Sequence, residues 1–153
     1  QAKRILEVFR KNDWPIFHVQ HISTRSDAGF FAPDTIGVNF YKDVCPRGQE
    51  VVIVKHTPDS FHQTMLRDSL ESQKVSHLVV CGMMTHMCID TTVRSAKNWG
   101  YNVTLIEDAC ATMNLVWKEE VIPATVVQNV FCASLSGSFA TIKIADNWIK
   151  EEN

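Results

Sequence analysis

A chain of 153 residues and 17.3 kDa has the size of one domain, and 1–153 is read as a single one. Apolar residues at 45% and charged ones at 21% are ordinary globular usage, which excludes disorder, collagen and coiled coil. Fifteen Lys and Arg against seventeen Asp and Glu leave a formal charge of −2, without the positive excess of a nucleic-acid binder or a membrane-surface protein. Apolar runs are only a few residues long, far short of the ~20 that a membrane helix needs, and no signal-peptide pattern opens the chain. Five cysteines, an odd number with no CxxC pair, fit free thiols in a reducing compartment, so a cytoplasmic location is expected.

In chain order, Ile5, Leu6, Val8 and Phe9 have helical spacing, and Asn12 with Asp13 can end that helix. Residues 15–19 read as a short buried strand. Residues 20–50 hold Gly29, Gly37, Gly48, Pro33 and Pro46 among scattered aromatics, a long loop of the kind that is often functional. An apolar run at 51–54 followed by Lys55 reads as a strand, 63–74 as a helix, and 78–81 as another strand ending at Gly82. Residues 86–99 have helical spacing through Ile89, Val93 and Ala96, with Gly100 as the stop. A strand at 103–106, a helix over 116–131, a strand at 140–144 and a short terminal helix complete the order.

Short, continuously apolar strands alternating with helices predict an α/β domain, a Rossmann-like open parallel sheet with helices on both faces. Five strands are visible, yet the chain opens in a helix. An open α/β sheet normally places an early strand at its centre, so a six-stranded sheet whose first strand is missing here is expected, with a gap between 16–19 and 78–81.

Ligands of such sheets bind beyond the C-terminal strand ends, which selects the segment from Lys55 to Phe61 and the turn after Cys81. Thr85 reads as an N-cap with Cys88 in the first helical turn. A sulfur there faces the positive helix end and unpaired N–H groups, surroundings that favour thiolate and could receive an oxyanion. A lone Cys at a helix start also fits a small buried residue.

The segment 82–96, GMMTHMCIDTTVRSA, resembles the Gly-x-x-Thr-x-x-Cys-Val-x-x-Thr-x-x-x-Ala signature of the isochorismatase-like cysteine hydrolases, which include nicotinamidases and N-carbamoyl amidohydrolases. Agreement extends along nearly the whole chain, through the strand at 15–19, the strand ending in Lys55 with Ser60 and Phe61 beyond it, and the segment 107–111. The resemblance implies that Cys88 is a nucleophile and that Lys55 supports its thiolate. It places a cis peptide bond at Met83–Met84, with the N–H groups of Met84 and Cys88 as an oxyanion hole. Attack, an acyl-enzyme and hydrolysis by water follow. The family's third catalytic group, an Asp ending its first strand, has no counterpart before Lys55, and Asp13 leads into Trp14-Pro15 instead. Without that strand the chain as written is expected to be inactive.

His18 and His21 are the best metal pair, but the nicotinamidase Asp-x-His pattern is not matched at 19–23, Asp27 is misplaced, and Cys81 with Cys88 lacks zinc-ligand spacing. No metal or other cofactor is expected. Isochorismatases proper, which cleave a vinyl ether, generally lack the cysteine. Cys88 therefore implies hydrolysis of a C–N bond in a small amide or carbamoyl-type substrate, with vinyl-ether hydrolysis or a non-catalytic binding or scaffold role as alternatives. Phe30, Phe31, Tyr41, Phe61 and Met113 are candidate pocket walls, each equally a packing residue. Trp14, Trp99, Trp117 and Trp148 read as packing or subunit-contact residues. The expected partners are a small-molecule substrate and further copies of the chain in a homo-oligomer, with no nucleic acid and no membrane.

Overall fold

The computed structural model describes residues 1–25 and 27–152. The chain opens with α1 (Ala2–Lys11), whose Ile5 and Val8 are buried and whose last turn carries Arg10 and Lys11, favourable charges at a helix C-terminus. It leads into β1 (Phe17–His21), which pairs in parallel with β2 (Val51–Lys55) so that His21 stands opposite Lys55. Between them run 3₁₀ turns at Ile36–Val38 and Lys42–Val44.

A second parallel unit is built from β3 (His77–Met83), β4 (Asn102–Ala111) and β7 (Thr141–Lys143), with β4 in the middle. The two-residue period of β4 divides its side chains between two cores. Val103 and Leu105 pack with α2 (Leu66–Ser72), α3 (Asp90–Asn98) and α4 (Ala124–Leu135), through Leu66, Leu70, Val93, Ala96, Cys132 and Leu135. Ile106 faces the other way, onto Ile5 and Val8 of α1 and onto Ala145 and Trp148 of α5 (Ala145–Glu152). Helices therefore cover both faces of the parallel strands, as an α/β domain requires. Among the described residues β1 and β3 share no backbone pairing, so the parallel strands form a pair and a triplet.

The helix expected over 116–131 is a correction. Residues 115–122 form a hairpin of β5 (Leu115–Trp117) and β6 (Glu120–Ile122), and α4 begins only after Pro123. Lys118 and Glu119 take positive φ angles of 47° and 69°, the two-residue turn that suits a tight hairpin, and a proline inside a helix would lack the N–H that the ladder needs. The helix expected over 63–74 is shorter for a related reason: Gln63 and Lys74 both have positive φ, outside helical space. Strands β3 and β4 run further than the apolar runs, because after a bulge between Val80 and Gly82 the pairing resumes with Gly82 against Cys110 and Met83 against Ala111. That extension carries β3 to the edge of the candidate site. No helix among the described residues is long and apolar enough to cross a membrane.

Candidate active site

Cys88 sits where β3 turns into α3. Gly82 has φ of 136°, a conformation that L side chains rarely adopt, and the Met83–Met84 peptide bond is cis. The chain then enters a wide turn, Thr85–Ile89, wound as a π-helix. The Met84 carbonyl accepts from the N–H groups of Met87 (3.0 Å) and Ile89 (3.2 Å), so these two bonds pass over the amide of Cys88. Thr85 is not the side-chain N-cap expected; that place falls to Met84, in extended conformation. The Thr85 hydroxyl is fully buried and turned inward, 2.7 Å from Gln128 Oε1 and 3.2 Å from the Ala111 carbonyl. Gln128 in turn donates from Nε2 to the Glu107 carbonyl at 3.1 Å. The cysteine-bearing turn is thereby tied to both β4 and α4.

Lys55 ends β2, only 4% exposed, and its Nζ donates to the Pro58 carbonyl at 2.5 Å. The same carbonyl lies 3.4 Å from Thr92 Oγ1, and Ser60 Oγ stands 2.9 Å from that hydroxyl. The turn that holds the ammonium is thus anchored on α3, one helical turn beyond Cys88. Across the strand pair His21 faces Lys55, and His21 Nδ1 lies 4.0 Å from Cys88 Sγ. Burial, reinforced by the Lys55 charge, holds the His21 imidazole below its ordinary pKa, which favours the neutral ring. Phe31 stacks on that ring at 4.8 Å and 16°.

His21 is the residue that sequence reasoning weighed only as a metal ligand. Its partner in that pair, His18, projects elsewhere and holds Glu50 at 2.7 Å. Strand neighbours three apart point to opposite faces, a signal that was available in the sequence. No group of three or more His, Cys, Asp or Glu that could hold a metal ion occurs among the described residues.

Of the candidate pocket walls, Phe31 reaches the site and Phe30 packs edge-on against it at 5.3 Å while remaining 73% exposed. Phe61 instead belongs to the main core, stacked on Tyr101 at 5.8 Å, because the turn at Ser60 directs it inward. Tyr41 and Met113 are exposed. Burial pushes Cys81 up to about 11 and Cys110 up to about 12, and raises Cys132, whereas Cys45 is exposed.

Comparison with known proteins places the chain among known families. Residues 1–137 match the isochorismatase domain. The chain is 47% identical over 149 residues to the uncharacterized isochorismatase family protein YddQ of Bacillus subtilis (strain 168), covering 97% of this chain and 83% of that one. It superposes with a TM-score of 0.93 on the crystal structure of a hydrolase from Oleispira antarctica described as an isochorismatase hydrolase, at 36% identity, covering 97% of this chain and 80% of the other. A shorter match, 36% identical over 84 residues, is to Nicotinamidase 3 of Arabidopsis thaliana, covering 55% of this chain and 40% of that protein.

Proposed function

The chain belongs to the isochorismatase family of hydrolases, and we propose that it is a cysteine-dependent hydrolase of C–N bonds in small amide or carbamoyl-type substrates. One observation carries this reading: Cys88 stands at the start of a helical turn, in contact with an imidazole whose strand partner is the buried cation of Lys55. A thiolate there attacks the substrate carbonyl carbon. The oxyanion that forms is received by the N–H groups of Met84 and Cys88, and the Met84 carbonyl bonds past the second of these. The C–N bond breaks, the amine leaves with a proton, and water hydrolyses the acyl-enzyme.

The carrier of the leaving-group proton, in this reading, is the carboxylate that the family resemblance implies beside Cys88 and Lys55. Phe30 and Phe31 form the apolar side of the pocket. No step requires a metal ion, so chelation is expected to leave turnover unchanged.

The test is ammonia release from a panel of small primary amides and ureido compounds, by the full-length protein and by its Cys88→Ala variant. Turnover is expected only with the cysteine present, while the circular dichroism spectrum stays the same. Retained turnover in Cys88→Ala would remove the nucleophile assignment.

A further inference from the structure

We propose that the β5–β6 hairpin and the outer face of α4 form a self-association surface, on which a second copy of this chain seats about a two-fold axis. The hairpin is an arm with little cover of its own. Val116 and Val121 stand directly opposite each other and so share one face of the ribbon, where they are 69% and 62% exposed. Trp117 points to the other face by strand alternation and is 68% exposed. Among the described residues, neither hydrophobic core includes a residue of 115–122. A two-stranded hairpin is marginal by itself in water, and an arm that is apolar on both faces gains most from being covered. Its base is nonetheless fixed: Asn114 Oδ1 accepts from the Ala124 N–H at 2.8 Å, and the turn at Lys118 and Glu119 is tight.

Helix α4 continues the surface. Its residues carry no charged side chain, unlike those of α1, α2, α3 and α5. Val127, Cys132 and Leu135 are buried, while Val126, Asn129, Val130 and Ala133 form an exposed stripe at i, i+3, i+4 and i+7. A helix without a charged side has the pattern of one covered all round. Area, charge and symmetry select a second copy as the cover. Trp117 with the four exposed valines presents roughly 500 Å² of apolar surface, the larger part of the ~800 Å² per partner in a standard interface. At the hairpin turn Lys118 lies beside Glu119 and Glu120, so the rim carries both signs and complements itself under a two-fold rotation, where a rim of one sign would repel. A net charge of −2 opposes the approach of two copies only weakly. Gln128, on the other side of α4, holds Thr85, so this surface backs the helix that steadies the cysteine-bearing turn.

The test is sedimentation equilibrium of the full-length protein, in the wild type, in Val116→Glu and in Val130→Glu, with Lys97→Glu at the exposed end of α3 as the control. Wild type and control should sediment at twice the subunit mass or a higher even multiple. Each valine variant should weaken association by about a hundredfold, because the contact would bury a carboxylate against uncharged surface. A wild-type tetramer should fall to dimers, since one of its two kinds of contact is lost. Circular dichroism should not change, as both valines are exposed. If either variant does not fold, Val121→Ser and Val126→Ser replace it under the same reading. A monomeric or odd-numbered wild type would overturn the proposal and leave the surface to another part of the polypeptide or to a different protein. Association untouched by the valine variants, or lost equally in Lys97→Glu, would overturn it as well.

Discussion

Lys55 and the five thiols make the sharpest residue-scale predictions. An ammonium buried this deeply lowers the cost of a neighbouring negative charge far more than one in water would. Lys55→Ala should therefore slow alkylation of Cys88 at pH 7. An unchanged rate would show that Lys55 does not act on the sulfur. Among the cysteines, Cys81 and Cys110 are protonated at pH 7.5, with values pushed to about 11 and about 12, and should remain unlabelled by iodoacetamide in the folded protein. Cys45, exposed on the loop before β2, is accessible to the reagent and serves as the internal reference. Rapid labelling of Cys110 would contradict its buried place on β4.

Short elements are held in place here by side-chain ties between them. Glu50 joins three: it accepts from Arg10 of α1 at 2.7 and 2.9 Å, from the Arg47 N–H at 2.8 Å, and bonds His18 of β1 at 2.7 Å. The bonds to Arg10 come first among the causes that hold its carboxyl down to about 2, below the ordinary 4.5. A carboxyl with a depressed folded-state pKa contributes stability above its unfolded value and loses it as protons bind. The contribution is therefore fully present above about pH 5, and fades between that pH and about 2. Glu50→Gln should lower the urea midpoint at pH 7, and the difference from wild type should close as the pH falls toward 2. A difference independent of pH would mean that the side chain acts by packing alone.

A second tie is that of Thr85 to Gln128 and Ala111. Thr85→Val keeps the shape and leaves two part-buried carbonyl oxygens without their donor, a cost of about 1 kcal/mol readable in urea unfolding. A loss of under ~0.5 kcal/mol would show that the hydroxyl is dispensable to the turn.

At the scale of the molecule, the parallel strands divide into a triplet with both sides of β4 paired and a pair whose β2 exposes Val52 and Val54. Regions with few buried contacts open first, and a two-stranded sheet is marginal by itself. Amide hydrogen exchange should accordingly be slowest in residues 103–106 of β4 and faster by an order of magnitude or more in β1 and β2. Equal protection of the pair and the triplet would show that the two open as one cooperative unit.

Local chemistry was enough to read much of this protein. Continuous apolar runs located the five parallel strands, since a strand buried by helices has no polar side to alternate with. The segment 82–96 singled out Cys88 and the strand ending in Lys55, because a thiol at a helix start and a cation at a strand end are defined by short stretches of chain. The hairpin at 115–122 was also within reach, through Pro123, but its valines satisfy helical and extended spacing alike. Three features were decided only in three dimensions. His21 meets Cys88 across a separation of 67 residues through the packing of two separate strand units, Phe31 covers it through a loop closed at Ser23, and Phe61 turns into the core. Register and loop closure are set by the packing of distant segments, and no local pattern of residues records them.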